Sequence, residues 1–558
     1  MLKKNHPMLF CKFGFITLGL FLGMLLSQFA CKQNSRKEDT RLAPLFNNLG
    51  NLHFPISTSI PAAQKYFNQG LTLVYGFNHQ EAVRSFQEAA RLDPECAMAY
   101  WGQALALGPN INKHMDALAA SDALIAVRQA VELSPHATAK EQALIAAQAR
   151  RFSDDPSVDR NQLNHAYAKA MYEVVRRFPD DPDAATLLAE ALMLLNPWSY
   201  WSEDGQPKTN TAEMVAMLET VIERSPDHCG ANHYYIHAVE ASPHFEKALA
   251  SAERLESLVP GAGHLVHMPS HIYLRVGRYH DATLANQRAA QADESYISQC
   301  NAQGFYPTVY YPHNLHFLWA SASMEGRFAL ALEAARKVVA GIPANWFKKY
   351  SALEEFRPLP LFTLARFGKW EDILQEPAPD HSALYTTGIW HYARGLALLA
   401  LQQPEQAKAE QQQLQALADN ETMKNHMLYG GGTAEQMLQI ATLILDAHLA
   451  EVSGHTANAV ANFKAAATIQ DDLPFNEMPP WYFPARLHLG ALLLQHGRAA
   501  EAEAIYREDL AHIRLNGWAL HGLERSLRAK GDNGEADQVH KQFVMAWQHA
   551  DVDPEVDH

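Results

Sequence analysis

Two pairs of histidines, each pair one helical turn long, stand out first. His233 and His237 are four apart in NHYYIHAVE, and His267 and His271 are four apart in HLVHMPSHIY. Each member of the second pair follows its counterpart by 34 residues. A third segment, YYPHNLHF, carries His313 and His316, which reproduce the spacing of His264 and His267 after a further 49 residues. Side chains four apart on a helix have Cβ atoms about 6 Å apart, and imidazole nitrogens bind zinc at about 2.0–2.1 Å, so one ion is within reach of both rings of a pair. The same pair would equally serve a hydrogen-bonded histidine network or a polar peptide-binding face.

The candidate ligands are therefore His233, His237, His264, His267, His271, His313 and His316, together with Glu240, which returns to the stripe of His233 and His237 at offsets of seven and three. Glu240 is also the candidate general base. Seven imidazoles exceed what one ion needs, so the set predicts one or two transition-metal ions, with any surplus ring contacting substrate. A nitrogen-rich set with a carboxylate and no thiolate pair suits zinc, iron, copper or nickel rather than calcium or magnesium. Glu190 is a further carboxylate candidate, and Ala320 is a small residue expected to leave one face of the third segment open.

Composition narrows the class. The chain has 558 residues, 46 Lys and Arg against 61 Asp and Glu, a net charge of −15, and 28 histidines. That charge argues against a nucleic-acid partner. Five cysteines with no paired spacing make neither a disulfide framework nor a thiolate site. Residues 1–31 read as an export leader: Lys3, Lys4 and Lys12 precede an apolar run from Phe13 to Ala30, and Cys31 stands where a lipid would be attached. Residues 32–60 would be a polar tether, placing the protein in the periplasm or cell envelope with only an N-terminal anchor in the membrane.

The elements that must position the histidines are helical pairs. Tyr66, Gly70, Ala82, Phe86, Ala89 and Pro94 fall at the spacing of a 34-residue helix-turn-helix unit, and Ala104, Ala123, Ala130 and Pro135 repeat it after a seven-residue insertion. Gly277, Ala282 and Ala289, then Gly326, Ala331, Val338 and Pro343, and finally Trp518 and Gly522 continue the register. The chain in this respect resembles the tetratricopeptide repeat family. The resemblance implies an all-α, right-handed superhelical solenoid of about twelve units, in an N-terminal array over 61–343 and a C-terminal array over 344–558. Breaks are expected at Gln291–Pro312, Gly341–Leu353, Tyr429–Gly432 and Leu473–Pro484.

The family's groove-facing positions coincide with His233, His237, Glu240, His264, His267, His271, His313 and His316, so the resemblance implies a multi-histidine concave groove. Pro269, between His267 and His271, is the residue expected to disturb that stripe. His79 at a turn, and Trp198, Tyr200 and Trp201 in a loop, are secondary candidates for contacts or pocket walls. Three functions remain open at this level: a metal-dependent enzyme, hydrolytic or oxidative, with a small or extended substrate in the groove; a non-catalytic scaffold for a peptide or protein; and a metal-delivery protein.

Overall fold

The computed structural model describes residues 41–115, 117–478 and 481–554. The leader, Cys31 and most of the tether lie outside the described residues. Within them the chain is helical, with isolated β-bridges and no strand, and the described residues from Ala43 onward form one compact unit. No described helix is long and apolar enough to cross a membrane.

Twelve helix pairs follow one another from Pro61–Tyr75 with His79–Leu92 to Gly517–Lys530 with Asn533–Ala546. Packing explains the small residues of the repeat. A methyl group on Gly70 would stand 2.7 Å from the Phe86 ring, so only a bare backbone lets the first helix lie against the second. Asn78 caps the second helix, its side chain accepting from Glu81 N. Ala82, Phe86 and Ala89 form the buried stripe of that helix. This is a tetratricopeptide-like solenoid.

Three first helices carry the histidines: Cys229–Val239; Gly263–His267 continued by Pro269–Val276; and Tyr311–Met324. Pro269 interrupts the hydrogen-bond ladder but not the helical path. Met268 keeps right-handed helical angles, His271 N turns to Met268 O, and the Ser270 hydroxyl donates to the released His267 carbonyl at 2.7 Å. The expected break at Gln291–Pro312 is mostly helix. Tyr279–Cys300 is a single helix, and a wide helical turn over Tyr306–Tyr310 leads directly into Tyr311–Met324. The described residues of the Leu473–Pro484 break are non-helical, and the Glu477 side chain there is inserted against the histidine-bearing helices.

Candidate metal centre

Two trios of buried imidazoles lie side by side. In one, ligand atoms of His233, His237 and His264 lie within 4.8 Å of one another; in the other, those of His267, His271 and His313 do. The trios adjoin, with His237 and His271 ring centroids 5.3 Å apart and His264 and His267 centroids 5.6 Å apart. All six side chains are 0–8 % exposed.

Each element brings its rings in for an identifiable reason. Cys229–Val239 is capped by His228, whose Nδ1 accepts from Ala231 N while its Nε2 faces Asp183. Gly230 meets the face of Tyr75, and a Cβ there would stand 2.5 Å from the ring. That approach brings His233 Nδ1 within 2.6 Å of the Tyr75 carbonyl. Gly263 similarly lies against the Asp293 carboxylate, which accepts from Tyr306 Oη and Asn314 Nδ2, both at 2.7 Å. Tyr306 Oη in turn accepts from His264 N, so one buried network ties the second histidine helix to the third.

The hydrogen bonds fix which ring nitrogen is bare. His233 Nδ1–H donates to Tyr75 O, His237 Nδ1–H to Glu240 Oε1 at 2.7 Å, and His271 Nδ1–H to Glu240 Oε2 at 2.7 Å. His267 Nδ1 faces Asn286 Oδ1 at 2.7 Å, and Asn286 Nδ2 is committed to Ala282 O, so that ring also donates through Nδ1. Four rings are thereby pinned at Nδ1 and left with Nε2 lone pairs. The Nε2 atoms of His233 and His237, and both nitrogens of His264, are buried with no hydrogen-bond partner. Each such group costs about 1–3 kcal/mol unless something takes it up. His267 Nε2 and His271 Nε2 face each other at 2.8 Å, where two lone pairs repel unless a cation or a proton lies between them.

Electrostatics agree. Burial, reinforced by neighbouring rings, holds His233, His264, His267 and His313 well below the ordinary imidazole range. Burial also lowers His237, against the pull of Glu240. For His271 burial opposes charge, but Glu240 and Glu477 outweigh it and raise the pKa. Glu240 is buried yet held well below the usual carboxylate range by His271 and His237, whereas burial and the Glu240 charge push Glu477 upward.

Aromatic side chains wall the site. Phe77 lies against His233, His264 and His237, with centroids at 4.6, 5.3 and 6.0 Å, and Trp198 meets His237 edge-on at 5.2 Å. Phe77 and Trp198 have φ of +56° and +63°, left-handed values that non-glycine residues rarely adopt. Phe317 packs on His267, His271 and His313 at 4.5, 4.5 and 4.9 Å.

Other predicted residues stand differently. His316 is not brought to either trio: its ring stacks on Trp319 at 5.2 Å and meets Phe356 at 5.1 Å, and burial lowers its pKa to about 3. Glu240 stands behind the imidazoles, with both oxygens taken by ring N–H groups. Glu190 faces Arg151 at 3.4 Å, away from the site. His79 is half-buried beside the Phe77 carbonyl and Asn110. Tyr200 is buried, and Trp201 donates to Ala238 O at 2.7 Å, fastening the end of the first histidine helix.

Sequence reasoning missed Glu477, whose carboxylate lies 3.7 Å from His271 Nδ1, 3.9 Å from His237 Nδ1 and 3.6 Å from His313 Nε2. No spacing announces it, because it arrives from a loop that follows His313 by 164 residues. Glu240 and Glu477 with His237 and His271 form a second possible ion-holding group on the Nδ1 side. The Nδ1 atoms there already donate to Glu240, and the unpartnered nitrogens lie on the Nε2 side, so the trios are the better cation site.

No family model matches the chain. No curated protein matches it either. Among solved structures, human IFIT1 bound to m7Gppp-AAAA aligns over 88 % of this chain and 91 % of its own at 12 % identity, with a TM-score of 0.30. Yeast Tom70 aligns over 87 % and 90 % at 12 % identity, with a TM-score of 0.28. Both are too distant to add to the fold, which rests on the helix pairs themselves.

Proposed function

We propose that this solenoid is a metal-dependent enzyme whose centre holds two transition-metal ions, one in the His233–His237–His264 trio and one in the His267–His271–His313 trio. The observation that carries it is the set of buried ring nitrogens gathered in two trios, with the opposite nitrogens of His233, His237, His267 and His271 fixed by hydrogen bonds. Three protein ligands per ion leave coordination positions open, the arrangement of a catalytic rather than a structural site. Such ions, once bound, activate water or dioxygen.

The chain's own residues do the rest. Glu240 reaches one ring of each trio, holds both in the tautomer that presents Nε2, and makes them better donors. It is a positioning residue in this reading, rather than the ligand or base expected from its stripe. Phe77, Trp198 and Phe317 exclude bulk water. A peptide in the groove would have to displace Glu477 to reach the histidines. Export and attachment through Cys31 belong to the same proposal, resting on the leader alone.

Elemental analysis tests it. Protein purified without chelator should carry two equivalents of zinc, copper, iron or nickel. His233→Ala should lose about one equivalent and His267→Ala the other, each variant keeping its helical circular dichroism. Folded wild-type protein that takes up no metal on dialysis against these ions would refute the proposal.

A further inference from the structure

A cavity of ≈ 500 Å³ adjoins the centre, and Glu477 lines it while also facing the histidines. Ala320, two turns beyond His313 on the same helix, lines it as well. The volume is that of a small-molecule site. Its wall is mixed, with an apolar part formed by Leu274, Trp319, Phe475, Trp481 and Tyr482.

Four arginines and the acids Asp471, Glu477 and Asp509 line it. Arg486 is paired with Asp471 and Glu508, and Arg514 with Glu246. Arg275 and Arg366 also line the cavity, yet neither forms an ion pair with a carboxylate among the described residues. Arg366 is 3 % exposed; its Nη1 donates to Tyr482 O at 2.7 Å, its Nη2 points to Met324 Sδ, and its Nε has no partner. Arg275 stacks on Phe245 at 3.8 Å and spends one weak bond of 3.4 Å on Ser242 O. Asp509, the acid that faces Arg366 across the cavity, is itself pushed by burial toward its neutral form, so an anion entering the cavity would offset the cost of the buried guanidinium.

We infer that this cavity is the substrate pocket and that it takes a small organic carboxylate with an aromatic or branched apolar body. Arg366 and Arg275 receive the carboxylate, the aromatic wall takes the body, and the opposite end is presented past Glu477 to the metal centre. This rests on the metal-centre reading for its chemistry, but binding alone is separable from it. Charge-assisted bonds from the guanidinium groups account for discrimination against neutral analogues.

Calorimetry with 3-phenylpropanoate and its neutral amide, on metal-loaded and on chelator-treated full-length protein, tests the assignment. One equivalent of carboxylate should bind in both preparations. The amide should bind at least about tenfold more weakly, the loss expected for a charge-assisted hydrogen bond. Arg275→Gln should weaken the carboxylate about tenfold, and Ala320→Trp should block it while leaving metal content unchanged. Equal affinity for acid and amide, or no binding by folded protein, overturns the pocket. Binding that needs metal and ignores Arg275→Gln also overturns it, since the carboxylate is then only a metal ligand. Loss of metal in elemental analysis with binding intact would instead fault the centre and spare the pocket.

Discussion

A single carboxylate does more to define this site than any one ring. Glu240 accepts from His237 and from His271, one member of each trio, so its replacement should disturb both ions together. Glu240→Gln keeps the shape but puts an amide N–H against one ring N–H. Metal affinity, read by chelator competition, should fall about 10- to 100-fold with stoichiometry retained at saturating metal. His316 is the contrasting residue. Its folded pKa is about 3, while a histidine in the unfolded chain titrates near 6.5. Between these values the unfolded chain holds the extra proton, so stability falls as pH drops through that window. His316→Phe should leave two equivalents of metal bound and flatten the acid limb of the stability curve by up to about 1.4 kcal/mol per pH unit, measured by urea unfolding.

At the scale of elements, the three histidine helices are held in register by buried polar contacts whose titration has the opposite sign. Burial raises Asp293 to about 7 despite its bonds from Tyr306 and Asn314. Between about 4 and 7 the folded chain holds the extra proton, so this group's contribution is complete below that window and is lost as pH rises through it. Asp293→Asn should remove that part of the slope, seen as a wild-type-minus-variant difference curve that declines with pH. The repeat explains why the rings were legible in the sequence. Residues 34 apart in a helix-pair solenoid return to the same face, which predicted the pairing of His233 and His237 with His267 and His271. It also explains the miss at His316. Three positions along a regular helix leave side chains about 60° apart, and that offset carries His316 off the trio and onto Trp319 and Phe356. His264 and His267, also three apart, both reach the site because the ladder is rearranged around Met268 and Pro269. Which nitrogen of each ring is bare depends on Tyr75, Asn286 and Glu240 together, and spacing does not encode that.

For the whole molecule, the decisive feature is that a loop from far downstream is inserted onto the histidine helices. Glu477 touches rings from all three of them, and the surrounding contacts include Arg514 with Glu246 and Tyr279 Oη with Arg514 O at 2.6 Å. The helical class and the unit count followed from local periodicity, but this closure is a long-range contact that local pattern does not carry. Its consequence is kinetic. With all six ligands at 0–8 % exposure, chelators should strip metal only as fast as these contacts open. Arg514→Ala, which removes one partly exposed ion pair worth about 0.2–1 kcal/mol, should speed loss to a chelator about two- to fivefold without changing the amount bound.

Anomalous diffraction from crystals grown with the co-purifying metal, collected at its absorption edge, tests the central claim most directly. Two peaks are predicted, one bounded by the Nε2 atoms of His233 and His237 with His264, the other by His267, His271 and His313. A single peak between Glu240 and Glu477, or none near the histidines in protein shown by elemental analysis to carry metal, would contradict it.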